Sequence, residues 1–221
     1  DLLDSLGAAA VPDPMLAVEP TGATPGAAPH VVFTSKTGAE LVAARGWEQR
    51  GAVHAIGPKT AEALRAAGYE VRVVPEEYTS SGLVRALRER VAGERVEVAR
   101  SDHGSPVLLD GLRDAGGDVT ETVLYRLTRP PEAGESAERA AHGDLAGACF
   151  TSSLTVEHFL AAAGERGVRE AAVAGLADAV VGAIGGPTAA TARDHGLSVD
   201  VVPDEATFAA LARAVVERYE P

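Results

Sequence analysis

The sequence predicts an α/β protein built from two similar domains, each with a parallel sheet covered by helices on both faces. Short apolar strands alternate with amphipathic helices along the chain, which favours parallel sheets. The pattern is also written twice. The recurring triplets are Phe33-Thr34-Ser35 with Phe150-Thr151-Ser152, Ala55-Ile56-Gly57 with Ala183-Ile184-Gly185, and Val73-Val74-Pro75 with Val201-Val202-Pro203. Paired domains of this kind usually hold their ligand in the cleft between them.

The first copy is predicted from buried apolar runs that are followed by helical patterns with glycine or proline at their ends. Its strands are expected at residues 30–35, 53–57, 71–74 and 96–100, and its helices at 39–44, 60–67, 83–91 and 106–115. Pro58 stands where a proline in the first turn of a helix is tolerated. Thr79 or Ser80 is expected to cap the helix that begins near residue 83.

A longer strand over 119–127 breaks this rhythm and leads into a polar, proline-bearing segment over 128–136. An early stretch, 14–20, is expected to pair with it as the other strand of a two-stranded connector. The second copy follows, with strands at 147–151, 179–185 and 198–202 and helices at 137–141, 156–163, 168–174, 188–195 and 206–219. The chain opens inside a predicted helix over 2–6, whereas a doubly wound domain normally opens with a strand. We therefore expect the opening strand to be missing.

Composition excludes several classes of function. The net charge of -12, with only two lysines among 20 basic residues, argues against a nucleic-acid partner. No apolar run is long enough to span a bilayer, and the single cysteine, Cys149, is expected to be a buried small hydrophobe in a cytoplasmic protein. The six histidines show no ligand spacing, so no metal site is predicted.

Candidate ligand contacts lie in the loops that follow the strands, because ligands of parallel α/β sheets bind beyond the carboxyl ends of the strands. These loops are rich in hydroxyls, glycines and amides, and helix N-termini bind anions. A serine or threonine there is often only a helix cap, but the same kind of loop occurs in both copies. The candidates are Thr34, Ser35, Lys36, Gly57, Lys59, Thr60, Ser80, Ser81, Gly82, Arg100, Ser101, Thr151, Ser152, Ser153, Gly185 and Gly186.

Other familiar sites are not supported. Gly57-Pro58-Lys59-Thr60 lacks the glycine that a P-loop requires, and no nucleophile elbow of a serine hydrolase is present. Asp102 and His103 could form an acid and base pair, but simple solvation is the expected role of such neighbours. Trp47 is expected to pack in the core.

Several motifs, taken in order and spacing, resemble those of uroporphyrinogen-III synthases over essentially the whole chain. They are Val31-Val32-Phe33-Thr34-Ser35 with Gly38 and Glu40, Ala55-Ile56-Gly57-Pro58-Lys59-Thr60-Ala61, the run from Val74 to Leu83, and Val123-Leu124-Tyr125. The resemblance implies two flavodoxin-like domains. One is discontinuous, over 1–13 and 128–221, the other covers 20–120, and 14–19 with 121–127 form a two-stranded linker.

The resemblance also implies a reaction and its participants. The linear tetrapyrrole hydroxymethylbilane would lose water, invert ring D through a spiro intermediate and close as uroporphyrinogen III, with no cofactor and in a monomer. Tyr125 corresponds to the family's usual proton donor and Thr188 to a threonine of its Ile-Gly-Pro-Thr-Thr-Ala loop, and the resemblance implies that both are catalytic. The family's opening strand ends in Thr-Arg-Pro, which nothing in this sequence matches.

Two other classes share the predicted architecture. A two-domain small-molecule binding or regulatory protein would close on a ligand without catalysis. A flavin-binding electron carrier would use similar loops, but it would need aromatic rings around the flavin, and only 4% of the residues are aromatic.

Overall fold

A computed structural model describes residues 2–219 of the chain. The chain divides into two compact units: unit 1 comprises residues 1–17 and 128–221, and unit 2 comprises residues 18–127.

Unit 2 is built around a six-stranded sheet whose strand order is β1-β6-β5-β2-β3-β4. The strands are β1 (Ala17–Pro20), β2 (His30–Phe33), β3 (Ala52–Ala55), β4 (Val71–Val73), β5 (Arg95–Ser101) and β6 (Asp118–Thr128). The helices are α2 (Lys36–Ala44), α3 (Pro58–Ala66), α4 (Ser80–Leu87) and α5 (Pro106–Asp114). Strands β2 to β6 pair in parallel, so their carboxyl ends meet at one edge of the sheet.

The central strand β2 shows why helices cover both faces of this sheet. Val31 and Phe33 belong to an apolar cluster with residues of α2 and α3, whereas Val32 belongs to a second cluster with residues of α4 and α5. Successive side chains of a strand point to opposite faces. A continuous apolar run therefore requires burial on both faces, as in other parallel sheets.

Unit 1 repeats the plan with fewer paired strands. Its elements are α1 (Leu2–Ser5), α6 (Glu135–His142), β7 (Gly147–Phe150), α7 (Ser153–Glu165), α8 (Arg169–Leu176), β8 (Val180–Ala183), α9 (Gly186–Asp194) and α10 (Phe208–Tyr219). Strands β7 and β8 pair in parallel, and Val201 adds a single bridge to Gly182.

The predicted alternation of strands and helices is confirmed, but the strand predicted at 198–202 is wrong. The carboxylate of Asp200 accepts a hydrogen bond from the backbone N–H of Val181 at 2.8 Å, a donor that a regular ladder could otherwise use. Only the isolated bridge at Val201 forms. The end of α7 and all of α8 lie within residues 164–178.

The predicted pairing of the long strand with an early stretch is confirmed, since β1 neighbours β6, but the extent of both strands differs from the expected connector. Strand β6 pairs with β5 from Asp118 to Tyr125, so most of the segment predicted as a linker belongs to the sheet of unit 2. Its partner over 14–20 begins as a strand only at Ala17.

Candidate active site

Tyr125 meets the start of helix α2 at the carboxyl edge of the unit 2 sheet. Its hydroxyl donates a hydrogen bond to Ser35 Oγ at 3.0 Å, and Ser35 Oγ accepts another from the N–H of Gly38 as the N-cap of α2. A Cβ on Gly38 would lie 3.0 Å from a methyl of Leu124 and 3.0 Å from Ser35 Oγ. Because Gly38 has no side chain, β6 and its Tyr125 can pack closely against the start of this helix.

The loop after β3 leaves the first turn of α3 without a side-chain cap. Gly57 is the N-cap in extended conformation, Pro58 follows in the first turn, and no side chain accepts a hydrogen bond from the helix. Thr60 is only 4% exposed and its hydroxyl has no hydrogen-bond partner among residues 2–219. Lys59 is exposed beside it.

The candidates on α4 have a different role. Thr79 is the N-cap, and its hydroxyl accepts from the N–H of Gly82 at 3.0 Å. A Cβ on Gly82 would lie 2.1 Å from the carbonyl oxygen of Glu77. Gly82 therefore serves close packing at this turn, while Ser80 and Ser81 lie in the first turn of the helix.

Arg100 is held inside unit 2 and is not free to serve as a ligand for a substrate carboxylate. Its guanidinium is buried, donates to Glu121 at 2.6 Å and to the carbonyl of Ser105 at 2.6 Å. The expectation that its side chain binds substrate is corrected by this pairing. Ser101 lies opposite Tyr125 in the register of β5 and β6.

Asp102 and His103 are paired, contrary to the expectation of simple solvation. His103 Nδ1 lies 2.9 Å from Asp102 Oδ1, which also accepts the N–H of Leu127 at 3.0 Å. Burial opposes ionisation of Asp102, but these hydrogen bonds outweigh it and lower the pKa of the carboxyl. The pair thus ties the loop after β5 to the end of β6.

Unit 1 carries the matching loops. Ser152 is the N-cap of α7 and forms a capping box with Thr155, whose hydroxyl accepts the N–H of Ser152 at 3.1 Å. Ser153 donates to the carbonyl of Pro187 at 3.3 Å and accepts from Thr191 at 2.8 Å, so it joins the starts of α7 and α9. Thr151 is exposed.

The start of α9 repeats the start of α3. Gly185 is an extended N-cap without a side-chain cap, and Pro187 lies in the first turn after Gly186. Thr188, like Thr60, is 4% exposed, and its hydroxyl has no hydrogen-bond partner within residues 2–219. Both threonines thus offer an unused hydroxyl at a helix N-terminus.

Sequence reasoning missed two contributors, Gly38 and Glu121. Both act through neighbours that are distant in sequence, since Gly38 makes room for Leu124 and Glu121 pairs with Arg100. The one usable signal was that Gly38 is one of the motif residues of the resemblance and stands directly before the helix predicted at 39–44.

The described part of the chain gives little support for a metal site or a cysteine nucleophile. Residues 2–219 contain no cluster of three or more His, Cys, Asp or Glu side chains suited to a metal ion. Cys149 is partly exposed, not fully buried as expected, and desolvation raises the pKa of its thiol to about 11. The thiol therefore stays protonated at neutral pH and is a poor nucleophile.

A surface hollow of about 360 Å³ is lined partly by Arg45, Gly46 and Trp47, just beyond the C-terminal end of α2. Because α2 begins at the carboxyl edge of the sheet, this hollow lies away from the candidate loops. Trp47 packs against Phe33 and Tyr69, as expected of a core residue.

Comparison with known proteins decides the family. The profile of uroporphyrinogen-III synthase HemD matches residues 1–213. The chain belongs to the uroporphyrinogen-III synthase family. A Methanothermobacter thermautotrophicus protein provisionally named uroporphyrinogen-III synthase is 32% identical over 201 residues, which cover 85% of this chain and 78% of that protein. The uroporphyrinogen-III synthase of Synechococcus elongatus is 31% identical over 74% of this chain and 62% of its own length.

Solved structures of the family share the fold. A uroporphyrinogen III synthase variant from Thermus thermophilus matches with a TM-score of 0.68 at 21% identity, covering 99% of this chain and 92% of that one. The Helicobacter pylori enzyme matches with a TM-score of 0.66 at 14% identity, covering 92% and 91%. Among the described helices of this family member, none combines the length and apolar character that a membrane crossing requires.

Proposed function

We propose that this family member cyclises hydroxymethylbilane to uroporphyrinogen III as a cofactor-independent lyase of tetrapyrrole biosynthesis. The profile match over residues 1–213 carries the proposal. We further propose that each unit is a flavodoxin-like domain and that the protein acts as a cytoplasmic monomer.

In this reaction the hydroxyl of the terminal hydroxymethyl group takes up a proton and leaves as water, and the substrate's own pyrroles supply both the electron push and the nucleophile. The protein must therefore fold the substrate into the shape that inverts ring D and exclude direct closure. Positioning groups matter more than a strong base. This requirement suits a site of amides and hydroxyls.

We assign Tyr125 as the proton donor to the leaving hydroxyl. Its phenol already donates to Ser35 Oγ, so a substrate oxygen that replaces Ser35 as the acceptor would receive the same proton. The bond to Ser35 fixes the tyrosine before substrate arrives. Ser35 is thus a positioning residue, and its partner Gly38 keeps the space open.

The carboxylates of the substrate are assigned to the helix starts. Unpaired N–H groups at the beginnings of α2, α3, α7 and α9 favour anions, and Lys36 and Lys59 add charge to the first two. The unused hydroxyls of Thr60 and Thr188 are placed to donate to such groups, and Thr188 also lies at the family's threonine position. The remaining contacts come from Thr34, Ser101, Thr151 and the glycines 57, 185 and 186.

The test is the isomer of the product. Purified protein is given freshly prepared hydroxymethylbilane, and the oxidised products are separated into types I and III, with heat-denatured protein as the control. Type III is expected from the native protein and type I from the control. Type I alone from folded protein would contradict the proposal, and retained binding of uroporphyrinogen III in that case would indicate a binding protein without catalysis.

A further inference from the structure

The only two lysines of the chain occupy unfavourable positions. Lys36 lies in the first turn of α2 and Lys59 in the first turn of α3. The helix dipole places partial positive charge at an N-terminus and disfavours cations there. Lys36 is offset by Glu40 at 3.3 Å, but Lys59 has no carboxylate within 4 Å in the described residues. The position of Lys59 therefore favours an external anion.

Tyr78 stands beside this lysine's helix. It precedes the N-cap of α4, and the residue is 60% exposed. A Cβ on Gly57 would lie 3.4 Å from Tyr78 Cβ and 3.6 Å from Cγ. The base of the ring thus rests on the glycine cap of α3 while its outer part is free.

The first turn of α3 contains hydrogen-bonding groups without partners. It lacks a side-chain cap, and the hydroxyl of Thr60, a residue only 4% exposed, has no hydrogen-bond partner within residues 2–219. The Cα–Cβ bond of a helical residue tilts toward the N-terminus, so this hydroxyl lies near the open end of the helix. Lys59 and Thr60 therefore belong to the first turn of α3, and the base of the Tyr78 ring lies against the glycine that begins this helix.

We propose that Tyr78, Lys59 and the first turn of α3 form a subsite for one carboxylate-bearing pyrrole ring of the substrate. Tyr78 is a binding residue that covers the face of the pyrrole, while Lys59 and the Thr60 hydroxyl bind its acidic side chain. The inference rests on the proposed function. It adds a contact that determines how one pyrrole of the substrate is oriented. The tyrosine ring fixes the plane of that pyrrole, and the anion site fixes the direction in which its acidic side chain points.

The subsite belongs to unit 2 alone. At the spacing of 128 residues that relates Gly57 to Gly185, Tyr78 corresponds to Ala206 and Lys59 to Pro187. A Cβ on Gly185 would meet nothing within 4 Å. Nearby negative charge is reduced, since Glu77 pairs with Arg85 at 2.8 Å.

The experiment compares Tyr78→Ala and Tyr78→Phe with Tyr219→Ala, a tyrosine of equal 60% exposure at the end of α10. Steady-state formation of type III product gives KM and kcat, and thermal unfolding checks the fold. Tyr78→Ala is expected to raise KM about fivefold with kcat nearly unchanged. Tyr78→Phe keeps the ring and should stay within about twofold of the wild type, as should Tyr219→Ala.

The charge is tested separately with Lys59→Gln and Lys59→Arg. Raising the ionic strength should increase KM of the wild type and of Lys59→Arg more steeply than KM of Lys59→Gln, because salt screens an exposed cation. An unchanged KM in folded Tyr78→Ala, or equal salt dependence in all three proteins, would overturn the inference. Absence of type III product from the wild type would instead overturn the proposed function.

Discussion

The loops after β3 and β8 are copies of one design, whereas the loops after β2 and β7 have diverged. Gly57 and Gly185 are both extended N-caps without side-chain caps, and each is followed three residues later by a buried threonine. The loops after β2 and β7 differ in the first turn of the helix that each one enters. In unit 2 Gly38 leaves room for Leu124 near Ser35, and in unit 1 Thr155 closes a capping box with Ser152.

This difference teaches how a repeated frame can acquire a single reactive group. The side chain of Thr155 satisfies its own helix start and leaves no role for a third residue. Gly38 has no side chain, which leaves room for Tyr125 of another strand to donate a hydrogen bond to the capping hydroxyl of Ser35. One small residue in the first turn thus separates a structural helix start from one that holds a proton donor.

The largest stability difference between the copies is expected from His54, whose counterpart at the same spacing is Gly182. His54 is fully buried beside His30, at 3.0 Å between ring nitrogens, with Nδ1 unpaired. Burial first, and then His30, Arg90 and Arg72, lower its pKa from 6.5 to about 4. The unfolded chain therefore binds the proton more readily than the folded one.

Stability should consequently be complete above pH 6.5 and fall by about 3 kcal/mol as the pH drops from 6.5 to 4. Denaturant unfolding across this range measures the loss. His54→Leu should flatten the profile, while His195→Gln, at an exposed histidine, should leave it steep. A profile of His54→Leu as steep as that of the wild type would refute this assignment.

A smaller difference is expected at the third residue after the helix caps of α4 and α10. Gly82 in unit 2 corresponds to Ala210 in unit 1, and a Cβ on Gly82 would lie 2.1 Å from the carbonyl oxygen of Glu77. Gly82→Ala should therefore cost about 2 kcal/mol of unfolding free energy through overpacking. The reverse change, Ala210→Gly, should cost only about 1 kcal/mol through lost helix propensity. Equal losses would show that the two turns are packed alike.

The smallest expected effect on stability concerns a feature that the two copies share, the threonine caps of α4 and α10. The hydroxyls of Thr79 and Thr207 accept the N–H groups of Gly82 and Ala210 at 3.0 and 3.2 Å. Thr79→Ala and Thr207→Ala should each cost about 1 kcal/mol in denaturant unfolding. A clear inequality would mean that the common frame does not extend to these caps.

Much of this comparison could be predicted from the sequence because it depends on local patterns. The repeated Ile-Gly loops, the caps at Ser35 and Thr79 and the alternation of strands and helices all follow from neighbouring residues. The bond between Tyr125 and Ser35 and the pairing of Arg100 with Glu121 join residues far apart in sequence. They depend on sheet order and register, which composition and periodicity do not specify.

The prediction of a strand at 198–202 was wrong for a similar reason, since it too depended on an interaction between residues that are distant in sequence. Its apolar residues fit a strand, but the carboxylate of Asp200 takes a donor of β8 for itself. Side-chain competition for backbone donors is a known alternative to a ladder, and only the three-dimensional placement shows which one prevails.

The central claim, that the reactive group lies only in unit 2 and is Tyr125, is tested most directly by comparing Tyr125→Phe with Tyr69→Phe. Tyr69 is a fair control because it also lies in unit 2 and its hydroxyl donates to the carbonyl of Trp47 at 2.8 Å. Each change removes one hydrogen bond, so each should cost about 1 kcal/mol of stability. Single-turnover formation of type III product should slow at least about tenfold in Tyr125→Phe and stay near the wild-type rate in Tyr69→Phe. Equal rates in folded Tyr125→Phe and Tyr69→Phe would contradict the account.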